Sequence, residues 1–254
     1  MSNATWLASV LRTGGCTVKT YEGWKGRGRP GEFEPFGVLW HHTGTPTGPN
    51  RPAPSVGFCI TGSSALTGPL CHVVIGYDGV CHVIAAGRAN HAGTNRGSGP
   101  VPPGSGNAQF IGFEIDYSGS QDMGPKQMEA ALKATVAVLK HFDRTAAYTR
   151  GHKETSTAGK WDPGRHGSSS PEYRMDAIRA KVANLMIGKV RYVLFDGEGG
   201  RIARSSPVSA SPKPRKARLK SFLDANIDKM DAEFEQDKDA KEPQDVRIRR
   251  VPEN

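Results

Sequence analysis

Three short segments of this 254-residue chain carry ionisable side chains where a core strand or an ordinary loop has no use for them. They are Leu39-Trp40-His41-His42-Thr43, Gly112-Phe113-Glu114-Ile115-Asp116, and Gly151-His152 continuing to Lys160-Trp161-Asp162-Pro163-Gly164. Two imidazoles and one carboxylate form the usual three-ligand set of a catalytic zinc ion, with a fourth position left for water. Such an ion brings the pKa of water toward neutrality and polarises a carbonyl oxygen. A separate acid and a separate cation could then move the proton and steady the negative charge that attack on such a carbonyl generates. Spacing alone does not single out a metal: His152 and Asp162 lie ten residues apart, unlike a helical HExxH pair. A core histidine, a sheet-edge carboxylate and a solvated loop lysine are ordinary uses of His41, Glu114 and Lys160.

The elements that must position these groups are legible from periodicity. Phe36 to His41 is a short apolar run before a Gly/Pro-rich loop, which predicts a buried strand opening at its C-terminal end. Phe110 to Tyr117 has the same strand character. From Cys71 to Ile84 two β-rich runs flank Tyr77-Asp78-Gly79, a hairpin signal, and residues 85–108 form a long loop of the kind that usually carries function. Asn3 or Thr5 can cap a short helix through Leu11, and Thr17 to Tyr21 alternates like a strand ahead of a basic, Gly-rich loop from Gly23 to Gly31. Gly124-Pro125 starts a helix whose apolar face is Met128, Ala131, Leu132, Thr135, Val136 and Leu139. A second helix is expected from Pro171, burying Met175, Ile178, Val182 and Leu185. Strands interleaved with helices predict an α/β fold, a mixed central β-sheet flanked by helices.

The expected catalytic domain is 1–187, with its core at 36–187. Beyond it, Arg191 to Phe195 and Arg201 to Ala203 flank a Gly-rich turn, so 188–204 reads as a small hairpin extension. Residues 205–216 read as a Ser/Pro/basic linker, 217–236 as an amphipathic helix, and 237–254 as a disordered tail.

His-His-Thr at a strand end, Gly-x-Glu on a later strand, and Gly-His followed by Lys-x-Asp-Pro-Gly occur in that order, and together they resemble the zinc-dependent N-acetylmuramoyl-L-alanine amidases. That family includes amidase-type phage lysozymes and is related to the peptidoglycan recognition proteins. The resemblance spans roughly Phe36 to Leu185 and includes the Asp-Gly hairpin and the loop Asn90-His91-Ala92-Gly93. It implies zinc as cofactor, held by His41, His152 and Asp162, with His42 packing beside them. It implies that Glu114 takes a proton from the attacking water and that Lys160 steadies the oxyanion. It places His91 beside the substrate cleft; His72, Thr43 and Asn90 are the other candidate substrate contacts, with a core role for His72 as the alternative. Some members carry a tyrosine before the hairpin-strand histidine, whereas this chain reads Leu70-Cys71-His72, so Glu114 carries more of the proton traffic here. The implied activity is cleavage of the amide between N-acetylmuramic acid and L-alanine of peptidoglycan, as in a bacteriophage endolysin. The rival readings are a catalytically inactive peptidoglycan-binding module and a zinc peptidoglycan endopeptidase.

Bulk properties set the wider expectations. A net charge of +9 favours anionic partners: wall polymers or a membrane surface reached through the basic cluster Lys213, Arg215, Lys216, Arg218 and Lys220. No helix-turn-helix, zinc-finger or RNP signature points to specific nucleic-acid binding. The oligomeric state is open. No run approaches the roughly 20 apolar residues of a membrane span, and Trp6 to Leu11 is too short for a secretory signal. The expectation is therefore a lysin that stays in the host bacterial cytoplasm until released to the wall. Cys16, Cys59, Cys71 and Cys81 are expected as reduced thiols, a Cys71–Cys81 bridge being conceivable only after export.

Overall fold

A computed structural model describes residues 3–167, 173–187, 189–195, 201–204, 208–209, 220–225 and 247–252. The chain divides into two compact units, Met1–Ala183 and Asn184–Asn254.

In the first unit the strands are β1 (Val18–Thr20), β2 (Gly37–His42), β3 (Val73–Ile75), β4 (Cys81–Val83), β5 (Thr94–Asn95), β6 (Gly104–Ser105), β7 (Phe110–Ile115) and β8 (Thr149–Gly151). The helices are α1 (Leu7–Thr13), α2 (Val56–Thr61), α3 (Gly106–Gln109), α4 (Pro125–His141), α5 (His152–Thr155) and α6 (Met175–Ile187). Six strands form one mixed sheet in the order β1-β4-β3-β7-β2-β8, and β5 and β6 make a separate ribbon within the long loop. The β3–β4 pair is the antiparallel hairpin around Asp78-Gly79, and the other pairings in the main sheet are parallel.

Parallel strands are covered on both faces, which is why β2 and β7 read as near-continuous apolar runs. Val38, Leu39, Trp40, Phe110, Ile111, Phe113 and Ile115 are all fully buried. Trp40 Nε1 donates to Thr135 Oγ1 at 2.8 Å, which seats α4 against the sheet. Pro125 opens α4, and Gln127 ties that helix start to the sheet: its Oε1 accepts from Gly124 N, and its Nε2 donates to the Asp116 carbonyl at 2.7 Å. Val138 belongs to the buried face of α4, while Val136 and Met128 are only partly covered.

Several boundaries differ from the sequence reading. The residue before α1 is Trp6, whose indole offers no acceptor and makes no side-chain cap, while Asn3 lies further back and donates its amide to the Lys25 carbonyl at 2.9 Å. Helix α6 begins at Met175, four residues beyond Pro171, which lies outside the described residues. Met175, Ile178 and Val182 are buried, but Leu185 is 47 % exposed. All four cysteines are free thiols.

In the second unit β9 (Lys189–Phe195) pairs antiparallel with β10 (Arg201–Arg204), with β11 (Val208–Ser209) and with β12 (Arg247–Pro252). Two expectations are corrected here. Part of the 205–216 linker is the strand β11, and part of the 237–254 tail is β12. Arg247-Ile248-Arg249-Arg250-Val251 holds only two apolar residues, three positions apart, so no period of two marked it as a strand. Of the 217–236 helix only residues 220–225 are described; residues 220–224 are helical and Phe222 is buried. Among the described residues no helix is long and apolar enough to cross a membrane.

Candidate active site

The site is assembled where β2, β7 and β8 end. Parallel pairing puts His41 of β2 on the same rung as Glu114 of β7, and Trp40 opposite Gly151 of β8. The chain turns directly from β8 into α5, whose first residue is His152. The segment after α5 then returns Asp162 to the strand ends, and the Lys153 amide donates to the Asp162 carbonyl at 2.8 Å.

His41 Nδ1 and His152 Nδ1 each stand 3.1 Å from the same oxygen, Asp162 Oδ2. Ligand atoms of the three residues all lie within 4.8 Å of one another, and all three residues are buried. Donors held about 2.1 Å from a tetrahedral ion stand about 3.4 Å apart, so these separations fit one zinc ion. The chemistry of the set fits as well. Burial lowers the pKa of His41, which keeps its imidazole neutral and its lone pair free. Burial pushes the Asp162 carboxyl up, but the contacts with His152 and His41 outweigh it and hold the group well below the usual range, as an anion.

Glu114 is the second chemical element. Its Oε2 is shut off from solvent and meets no hydrogen-bond partner among the described residues. Burial, then the neighbouring Cys59, Asp162 and Asp116, pushes its carboxyl well above the ordinary glutamate range, against the opposing pull of Lys160. A carboxylate so placed takes up a proton more readily than an exposed glutamate does. Lys160 is exposed and lines a cleft of about 330 Å³ together with Asn90, His91, Asn107, His152 and Ser156.

The remaining sequence candidates separate cleanly. His91 stands beside the ligand set, with its Nδ1 3.0 Å from His41 Nε2. Room for its ring comes from Gly112, where a Cβ would fall 2.6 Å from His91 Nδ1. Asn90 lines the cleft while donating to the Thr67 carbonyl at 2.9 Å. His72 does not reach the cleft: it is fully buried, accepts the Gly112 N–H at 2.9 Å and stacks on Phe33, so the core alternative describes it. Thr43 spends its hydroxyl on Asp116 Oδ1 at 2.7 Å. His42 packs on Trp161 and accepts the Gly164 N–H at 3.1 Å, with its pKa lowered by burial to about 4.

Three supporting residues escaped the sequence reading. Asp116 is fully buried and gathers Thr43 Oγ1, Ser55 N and Ser55 Oγ, joining the end of β7 to the 43–55 loop. Lys153 donates to the Pro163 and Tyr173 carbonyls, both at 2.6 Å, pinning the segment that carries Asp162. Asn107 gathers three backbone N–H groups of the His91 loop. Asp116 ends the segment Gly112–Asp116 but was given no role there, and Asn107 was read only as part of the long loop, because a partner set scattered over 14 to 73 positions leaves no periodic trace.

Two imidazoles and a carboxylate around one point, with a proton-holding glutamate on the adjacent strand and a lysine at the rim, define a mononuclear zinc hydrolase. The model of the N-acetylmuramoyl-L-alanine amidase family matches residues 32–165, a span that holds every one of these groups. The chain belongs to that family. No curated protein sequence matches it. Among solved structures it is similar to a selenomethionine derivative of AmpD, at 20% identity over 71% of this chain and 98% of that one, with a TM-score of 0.48. It is also similar to a mutant form of PlyL, at 22% identity over 66% of this chain and 97% of that one, TM-score 0.47. A third is the endolysin N-acetylmuramoyl-L-alanine amidase LysCS from Clostridium intestinale, at 18% identity over 65% and 95%, TM-score 0.44.

Proposed function

We propose that this zinc-dependent peptidoglycan amidase serves as a bacteriophage endolysin, cutting the bond between N-acetylmuramic acid and L-alanine. The observation that carries the hydrolytic chemistry is the convergence of His41 and His152 on Asp162 Oδ2, one strand away from Glu114. The lytic setting follows the resemblance drawn from the sequence motifs, to a family that includes amidase-type phage lysozymes.

Zinc bound by His41, His152 and Asp162 would polarise the scissile carbonyl and make water a nucleophile near neutral pH. Glu114 takes the proton of the attacking water on its carboxylate, for which its raised pKa suits it, and passes that proton to the departing amine nitrogen. The Lys160 ammonium, at the rim of the cleft, offsets the negative charge that develops on the carbonyl oxygen. His91 borders the His41 ring and lines the cleft beside it.

The net charge of +9 supports a second contact, in which basic residues of the C-terminal segment hold the enzyme on anionic wall polymers. Release from the host cytoplasm before lysis belongs to the same reading. Digestion of purified walls followed by mass analysis tests it. Intact glycan strands and stem peptides with a free L-alanine amine are expected. Peptides cut within the stem would instead make the chain an endopeptidase, and absence of any cleavage with retained wall binding would make it a recognition module.

A further inference from the structure

Asn107 lies in the short helix α3 between the long loop and β7, and it is only 8 % exposed. Its Oδ1 accepts the backbone N–H groups of His91 at 2.9 Å, Ala92 at 2.7 Å and Gly93 at 3.2 Å. Three donors can converge only on the oxygen of a carboxamide, so the two ends of this side chain cannot exchange places. The oxygen faces the loop, and Nδ2 is turned away from it.

Among the described residues Nδ2 has no protein acceptor, and it is not among the buried polar atoms without a partner. Asn107 lines the same cleft as His91, His152 and Lys160. A side chain needed only to staple the loop would do as well with a carboxylate, which accepts N–H bonds more strongly than a carboxamide. What an asparagine adds is a fixed NH₂ donor on a residue that lines the cleft, beside a loop whose His91 ring stands 3.0 Å from His41.

We infer that Asn107 is a substrate-positioning residue whose Nδ2 donates a hydrogen bond to a neutral amide carbonyl of the muramoyl peptide. Its Oδ1 meanwhile holds the His91 loop against the metal ligands. The inference rests on the amidase reading of the cleft. It assigns to one side chain both the shape of the cleft wall and the register of the substrate along it.

The test compares wild type, Asn107→Asp and Asn107→Ala in kcat, KM and melting temperature on a soluble muramoyl peptide. Asn107→Asp keeps the triple acceptor and sets an anionic oxygen against the substrate carbonyl. It should melt within a few degrees of wild type while KM rises about 10-fold or more, with a smaller change in kcat. Asn107→Ala should lose melting temperature as well, because three N–H groups are orphaned. An Asn107→Asp enzyme with the wild-type KM overturns the inference.

Should that variant fold poorly, the Asn107 side-chain amide resonances can be followed by NMR in otherwise native protein carrying Glu114→Gln, during titration with muramyl dipeptide. Downfield movement of the Nδ2 protons supports the contact, and unmoved resonances at saturation overturn it. A wild-type enzyme that leaves the muramoyl–alanine bond intact would count against the amidase reading alone, since the NMR titration still reports on Asn107.

Discussion

His41 and Glu114 are Cα partners on adjacent parallel strands, so the first metal ligand and the proton-handling carboxylate occupy one rung of the sheet. Their mutual distance is therefore set by strand spacing, about 4.8 Å between backbones, and not by a loop. Replacing Glu114 by Gln keeps the shape and removes the proton site. The expected result is a fall in kcat of about 10²-fold or more with unchanged zinc stoichiometry, read by peptide release and metal analysis. Activity near the wild-type level would remove Glu114 from the proton path.

Asp162 Oδ2 is the point at which both imidazoles meet. Loss of an outer partner of a metal ligand already costs roughly 10- to 100-fold in affinity, so Asp162→Ala should weaken zinc by at least about 100-fold. Chelation of the wild-type enzyme should abolish lysis, and zinc should restore it. Zinc at about 100 times its dissociation constant should also stabilise the fold by about 2.7 kcal/mol, visible as a higher melting temperature. Full activity in a strong chelator would sink the zinc assignment.

Asp116 touches no substrate in this scheme, yet it should matter for stability. Asp116→Ala orphans the buried Ser55 N–H and strips Thr43 and Ser55 of their shared acceptor. A loss of about 2–4 kcal/mol is expected in urea unfolding. A loss below about 0.5 kcal/mol would show that the hub is dispensable.

The fold and the ligand set were legible in the sequence for a physical reason. Strands buried on both faces, such as Val38 to Trp40, are apolar throughout, and His41 stands out because it breaks that run at the strand end. Thr43 and the choice between the two roles of His72 were not legible, because a motif shows neighbours along the chain but not the direction of a side chain. Thr43 turns to Asp116, and His72 turns into the core beneath Gly112. The C-terminal strand Arg247–Pro252 was missed because its two apolar residues do not alternate, and its partner β9 is more than 50 positions away.

Acid should destabilise the protein partly through His72, whose pKa burial lowers to about 3. The ordinary value, about 6.5, holds in the unfolded chain, so between these limits the unfolded state binds the extra proton. His72 thus leaves stability intact above about pH 6.5 and removes up to about 1.4 kcal/mol per pH unit as the pH falls toward 3. Unfolding free energies of wild type and His72→Asn, which keeps an acceptor for Gly112 N, should converge as the pH drops from about 7 to about 4.5. A gap that stays constant would show that His72 is not the titrating group.

Strand β2 lies between β7 and β8, and its His41 meets an oxygen 121 positions later in the chain. A ribosome must therefore release nearly two-thirds of the polypeptide before the first histidine can meet that oxygen. Nascent fragments are inert as hydrolases, and a premature stop anywhere ahead of Asp162 yields a product that cannot open a wall.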